Sequence, residues 1–136
     1  MIFQFIHELA IIGVVDPGIA NEERIVLRPT EITNMGMFGL FIGKNNPNNM
    51  VTPFHDNYLW LGDLIVQPPA WIFVYTGPGT FQQTTITESN HPAYIYHWGK
   101  RTTVFNHPDI VPYILRISGI TVGPAAPHTS FPQLKS

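Results

Sequence analysis

The sequence contains no cysteine. That excludes a disulfide framework, a thiolate metal site and a cysteine nucleophile, and it is compatible with a reducing compartment. Charge is scarce as well. Asp, Glu, Lys and Arg together make up 12% of the residues, about half the ~25% common in soluble domains, so much of the surface must be neutral. The formal net charge is -2, and Lys100-Arg101 is the only adjacent basic pair. A nucleic-acid surface needs a basic stripe that displaces counterions from phosphates, and the sequence has none. No apolar stretch approaches the ~18 to 20 residues of a membrane-spanning helix. The start, Met1 to Val15, is apolar, but it lacks a positive leader and carries His7 and Glu8 inside the run. It therefore reads as part of the domain rather than as a signal peptide, and a soluble cytoplasmic protein is expected.

Turn formers, in contrast, are abundant, with 13 prolines and 11 glycines in 136 residues. A chain of that length suits one domain with a true core, and such frequent punctuation favours short strands over long helices. The strongest single segment is Trp71-Ile72-Phe73-Val74-Tyr75, five strand-forming residues that run into the turn Thr76-Gly77-Pro78-Gly79-Thr80. It predicts a buried central strand that stops abruptly. Around it the pattern predicts further strands over Ile2–Val15 with a bend at Gly13, Glu23–Arg28, Met35–Gly43, Tyr58–Val66, Tyr94–Trp98, Thr102–Phe105, Val111–Ile117 and Ile120–Val122. Thr80–Thr87 is more polar and suits an edge strand, and Lys44–Asn57, with five asparagines and two prolines, reads as a polar loop. Eight or nine short strands predict an all-β fold, an antiparallel β-sandwich of immunoglobulin-like layout, with a closed barrel as the alternative. Residues 1–123 form the domain on this reading, and residues 124–136 form a proline-rich tail.

From Glu23 onward the layout resembles the lamin-tail domain. Glu23-Arg24-Ile25-Val26-Leu27-Arg28 looks like that family's early strand opening on an acidic residue, and Phe38-Gly39-Leu40-Phe41-Ile42 is similar to the strand that follows. The stretch Ile65 to Thr80 is similar to the family's proline-led strand ending in a threonine-glycine turn. Tyr96-His97-Trp98-Gly99 and Val104-Phe105-Asn106 stand where the family places aromatic-glycine and aromatic-asparagine steps. Three features depart from the pattern: the tryptophan after a serine-glycine pair in the third strand is absent, Gln82–Pro92 is long, and the closing turn lacks glycine-aspartate. The resemblance implies an immunoglobulin-like sandwich serving as a non-enzymatic accessory binding domain, and fold alone does not name the partner.

Chemistry in the chain is thin. Neutral imidazoles could ligate zinc, copper or iron, and His55, His91, His97 and His107 are the candidates. No His-x-His or His-x-x-x-His spacing places two on one face, however, and His91 and His107 each precede a proline. None of the four serines sits in a Gly-x-Ser-x-Gly elbow, and the acidic residues offer no evident pair for glycoside hydrolysis. The Thr76–Thr80 turn lacks the lysine and helix of a phosphate loop. No catalytic residue, metal site or cofactor is assigned, although a histidine-dependent metalloenzyme stands as an alternative.

The aromatic ladders say more. Trp71, Phe73 and Tyr75 alternate with Ile72 and Val74, so this strand has no solvated side, and Tyr94, Tyr96 and Trp98 repeat the pattern. A sandwich covers one face of each sheet, which leaves an aromatic face either to a partner, the preferred reading, or to the Lys44–Asn57 loop or the proline tail folding over it. These six residues are the expected binding site, for another protein or for a second copy in a homo-oligomer. A structural component of a larger assembly such as a virion is the other reading.

Overall fold

In the computed structural model, which describes residues 5–47, 51–125 and 132, ten strands and one 3-10 turn make up the regular structure. The strands are β1 (Leu9–Val15), β2 (Arg24–Pro29), β3 (Thr33–Asn34), β4 (Phe38–Asn45), β5 (Val51–Trp60), β6 (Ile65–Val66), β7 (Trp71–Tyr75), β8 (Gln82–Thr85), β9 (Pro92–His97) and β10 (Ile110–Arg116). They form a five-stranded sheet ordered β1-β2-β7-β9-β8, a three-stranded sheet ordered β10-β4-β5, and a small β3-β6 pair. Strand β7 is the middle of the largest sheet, as its unbroken apolar run predicts. None of the sheets closes into a barrel. No helix among the described residues is long and apolar enough to cross a membrane.

Alternation explains how the two larger sheets meet. Ile25 and Leu27 of β2 and Ile72 and Val74 of β7 point inward from one sheet, and Phe38, Leu40 and Ile42 of β4 point inward from the other. Leu9, Met35, Leu61, Val66 and Phe105 fill the same core from strand ends and connections. The fold is therefore all-β and sandwich-like, with one departure from the antiparallel expectation. Strands β7 and β9 run parallel. After β7 the chain passes to the far edge, where β8 pairs antiparallel with β9, so the connection acts as the long crossover that a parallel pair requires.

Three expected elements differ. The polar loop over 44–57 is largely strand, because β4 runs on to Asn45 and β5 begins at Val51, paired through Asn45↔Val51, Lys44↔Thr52 and Gly43↔Pro53. An edge strand with exposed side chains can satisfy its backbone without showing any apolar pattern. Thr102–Phe105 forms no strand, since the Val104 and Phe105 N–H groups donate to the Glu23 carboxylate instead of to a ladder. Ile120–Val122 also joins no sheet, and Ile120 is 85% exposed. At the start, the strand begins at Leu9 and is bulged between Ile11 and Gly13, where a bend is predicted. Residues 1–4, and most of the proposed tail (126–131 and 133–136), lie outside the described residues.

The sheet edges share a character. Strand β1 is bulged, β5 carries Pro53 and an irregularity between Phe41 and Gly43 of its partner, β8 is the exposed polar run Gln-Gln-Thr-Thr, and β10 contains Pro112. Bulges, prolines and short polar strands all discourage edge-to-edge pairing.

Candidate binding faces

The frame that positions both outer faces is fastened by a buried carboxylate. Glu23 is 1% exposed, just ahead of β2. One of its oxygens accepts from Gly18 N at 2.9 Å and Phe105 N at 2.7 Å, and the other accepts from the Thr76 hydroxyl and from Val104 N at 2.8 Å. Four donors meet the charge, which is how a buried carboxylate is tolerated. Burial pushes the Glu23 carboxyl up, but the Thr76 hydroxyl and the three backbone N–H groups outweigh it and hold the group below the ordinary glutamate range. Glu23 thus ties the first turn, the end of β7 and the loop before β10 together. It fills a structural role that the sequence shows only as an acidic residue before a strand.

On the five-stranded sheet, Trp71, Phe73 and Tyr75 project outward in one column. The Trp71 and Phe73 rings lie 6.1 Å apart and nearly parallel, and Tyr75 stacks on His97 at 5.4 Å. Arginines from β2 cover the two ends of the column. The Arg28 guanidinium sits 3.8 Å above the Trp71 ring and donates to the Pro69 carbonyl at 3.2 Å. Arg24 lies 5.5 Å over Tyr75 and is held by Asp16 at 3.0 Å and by the Glu22 carbonyl at 2.7 Å. All three rings are half-buried. The Thr76–Thr80 turn folds back so closely that a Cβ at Gly79 would fall 2.4 Å from the His97 ring, which explains the glycine there.

Tyr94, Tyr96 and Trp98 do not join this column. Register pairs Ile72 with Tyr94 and Val74 with Tyr96, so these rings share the inward face and pack against the core. Phe81 meets Tyr96 edge-on at 4.9 Å. Burial, reinforced by Tyr94, pushes the Tyr96 phenol up to about 12. Its hydroxyl is buried and meets no hydrogen-bond partner among the described residues. The six residues expected to form one face are therefore split, three outward and three inward. The reason is a one-residue offset between the aromatic positions of two strands paired in register.

A second aromatic face lies across the molecule, on the outside of the three-stranded sheet. Tyr113 of β10, Phe41 of β4 and Tyr58 of β5 stand opposite one another in a single row. Phe41 stacks on Tyr113 at 5.3 Å and tilts against Tyr58 at 4.8 Å. The next row places Leu115 and Trp60 on either side of Gly39. The glycine makes room for the rings, since a Cβ there would lie 2.5 Å from Tyr58 and 3.0 Å from Phe41. Tyr58 is 47%, Trp60 48% and Leu115 47% exposed. Trp60 is oriented by its Nε1, which donates to the Gly36 carbonyl at 3.0 Å. No charged residue stands in these two rows. Burial raises the Tyr113 phenol above its ordinary value. In the middle of β5, Lys100 holds the irregular stretch through the Asp56 carbonyl at 3.1 Å and Asn57 Oδ1 at 2.7 Å. Burial lowers the Lys100 ammonium, and Asp56 partly opposes that.

Tyr58 and Trp60 fall in the strand expected over Tyr58–Val66, but residues 51–57 of β5 read as loop, and the pairing that sets Tyr58 opposite Phe41 leaves no mark in the sequence. The missed signal is the alternation Gly39-Phe41-Gly43, a ring between two vacant positions. As for metal chemistry, no group of three or more His, Asp or Glu side chains converges among the described residues. His107 lies 3.6 Å from Asp109, and His97 is stacked on Tyr75. Compared with protein-family models, with curated proteins and with solved structures, the chain matches none.

Proposed function

We propose that this chain is a non-catalytic interaction module, an immunoglobulin-like and lamin-tail-like cytoplasmic sandwich, that binds a second copy of itself or another protein through an aromatic outer face. The observation that carries the reading is the Tyr113-Phe41-Tyr58 row with Trp60 and Leu115 beside it, an uncharged, half-open surface on the outside of a sheet. Aromatic side chains bury large areas while few rotors are frozen, and interface centres are rich in tyrosine and tryptophan and poor in charge. The Trp71-Phe73-Tyr75 column is the secondary face, because arginines already cover its ends. Prolines or a short polar run guard the β5, β8 and β10 edges, which favours contact through faces over contact through those edges.

Sedimentation velocity over a range of concentrations tests this. The unmodified chain is expected to associate, and a Tyr58→Ser/Trp60→Ser variant is expected to associate at least tenfold more weakly while keeping its melting temperature within a few degrees. A strictly monomeric unmodified chain speaks against the self-association form of the proposal.

A further inference from the structure

Strands β1 and β10 end the two large sheets on the same side of the molecule and are not paired with each other. One cavity, of about 330 Å³, lies between them, lined by Phe5 and Ile6 ahead of β1, by Leu9 and Ile11 of β1 and by Ile114 of β10. Two others open at the ends of the two strands, one of about 350 Å³ that reaches Val14 and Ile110 and one of about 240 Å³ that reaches Glu8 and Arg116. Residue numbers fall along one strand as they rise along the other, so the seam is flanked by two strands running in opposite directions. A Glu8–Arg116 ion pair closes one end.

The backbone along this seam is only half used. Thr30 donates to the Glu8 carbonyl at 2.9 Å, and this sets the phase of the β1-β2 ladder. Bonded and non-bonded positions alternate in an antiparallel pair, so the N–H and C=O groups of Leu9 and Ile11 point away from β2, toward the seam. In the other sheet Asn45 donates to the Asp109 carbonyl at 2.7 Å and Ile117 donates to Met37 O at 2.7 Å. By the same alternation Pro112, Ile114 and Arg116 point outward, and Pro112 stands where a missing N–H breaks no ladder bond. Among the described residues, the seam therefore presents unpaired strand backbone on both sides of an apolar trench.

The same chain carries a segment shaped to fill it. Directly after β10, Ser118-Gly119 forms a hinge-like pair, and Ile120-Thr121-Val122 follows with its two apolar side chains on alternate positions. Ile120 is 85% and Val122 80% exposed, and no sheet takes them up. At ~3.3 Å per residue, Ile120–Val122 extends about 10 Å, the length of the regular three-residue stretch Leu9 to Ile11 that precedes the bulge in β1. We infer that the Ile120–Val122 segment of one copy adds as a strand to the β1 side of the seam in a second copy, burying Ile120 and Val122 between the sheets. The association is a strand exchange, a contact separate from the aromatic faces. The contact uses the part of the β1 edge that precedes its bulge, where Leu9 to Ile11 stay regular.

The absence of native cysteine makes the test direct. A chain with Ile11→Cys is mixed with a chain carrying Ile120→Cys or Val122→Cys under mild oxidant, and covalent dimers are read on a non-reducing gel. The expected result is a disulfide-linked heterodimer, together with loss of the corresponding non-covalent dimer in an Ile120→Asp/Val122→Asp variant. That variant changes only exposed positions, so its melting temperature should stay put. Three results overturn the inference. One is no cross-link between the mixed chains. A second is an intrachain disulfide in a monomer carrying both cysteines, which would mean that the segment closes over its own seam. The third is an association whose strength Ile120→Asp/Val122→Asp leaves unchanged and Tyr58→Ser/Trp60→Ser abolishes, which would assign the contact to the aromatic face alone.

Discussion

The two outer faces of the sandwich use similar side chains and come out differently. On the five-stranded sheet Trp71, Phe73 and Tyr75 form a column that Arg28 and Arg24 bracket from the neighbouring strand, each arginine held by an oxygen of its own. On the three-stranded sheet Tyr113, Phe41 and Tyr58 form a row whose neighbours are glycine, leucine and tryptophan. A guanidinium laid on an aromatic face covers the ring and keeps its own charge in water. Glycine beside a ring covers nothing. Aromatic content alone therefore does not mark a binding face, and the adjacent strand decides whether the rings are already satisfied.

The comparison holds only while both faces sit on one rigid frame, so its largest break is at Glu23. Glu23→Ala leaves three backbone N–H groups and a buried hydroxyl without their acceptor. A loss of about 3 to 5 kcal/mol is expected, a large part of a domain's total stability, and it is measurable by urea unfolding. The acid limb of stability should follow the same group. Because the folded carboxyl is held below its ordinary value, it contributes stability above the unfolded pKa, and that stability is lost as pH falls through the depressed folded value. A Glu23→Gln chain should show a flatter melting temperature between neutral and acid pH than the parent.

A smaller change in stability but a sharp change in behaviour is expected at the open face. Tyr58→Ser/Trp60→Ser should alter stability by only ~1 kcal/mol, since both side chains are about half exposed. It should weaken association at least tenfold in sedimentation. The smallest effect belongs to the covered face. Arg28→Ala should cost about 0.5 to 1 kcal/mol for the lost contact with Trp71. It should also raise acrylamide quenching of Trp71, read in a chain whose other two tryptophans are replaced by phenylalanine. If quenching does not rise, the arginine is not the cover, and the contrast between the faces weakens.

Much of the fold was legible because burial leaves a period in the sequence. The alternation of Ile25 and Leu27, the run Trp71–Tyr75 and the polar edge Gln82–Thr85 each map onto a strand in its expected place. What was not legible depended on pairing. Only the β7-β9 register shows that Tyr94 and Tyr96 turn inward while Phe73 turns outward. The first part of β5, residues 51–57, reads as loop because an edge strand needs hydrogen bonds more than apolar side chains, and although a strand is expected from Tyr58, only its pairing with β4 makes Tyr58 and Trp60 parts of a face. Val104-Phe105 had the composition of a strand but spends its amides on a carboxylate 81 or more positions earlier. No local pattern records so distant a partner.

Trp60 itself can report whether the open face meets a partner. In a chain with Trp71→Phe and Trp98→Phe, Trp60 is the single tryptophan, and its emission maximum is followed as concentration rises through the association measured by sedimentation. With Ile120→Asp and Val122→Asp also in place, so that only the face contact remains, a blue shift that tracks association is expected as the ring passes from half-exposed to covered. Association of that chain with an unchanged Trp60 spectrum, or no association at any concentration, would contradict the claim that this face is where the protein binds its own kind.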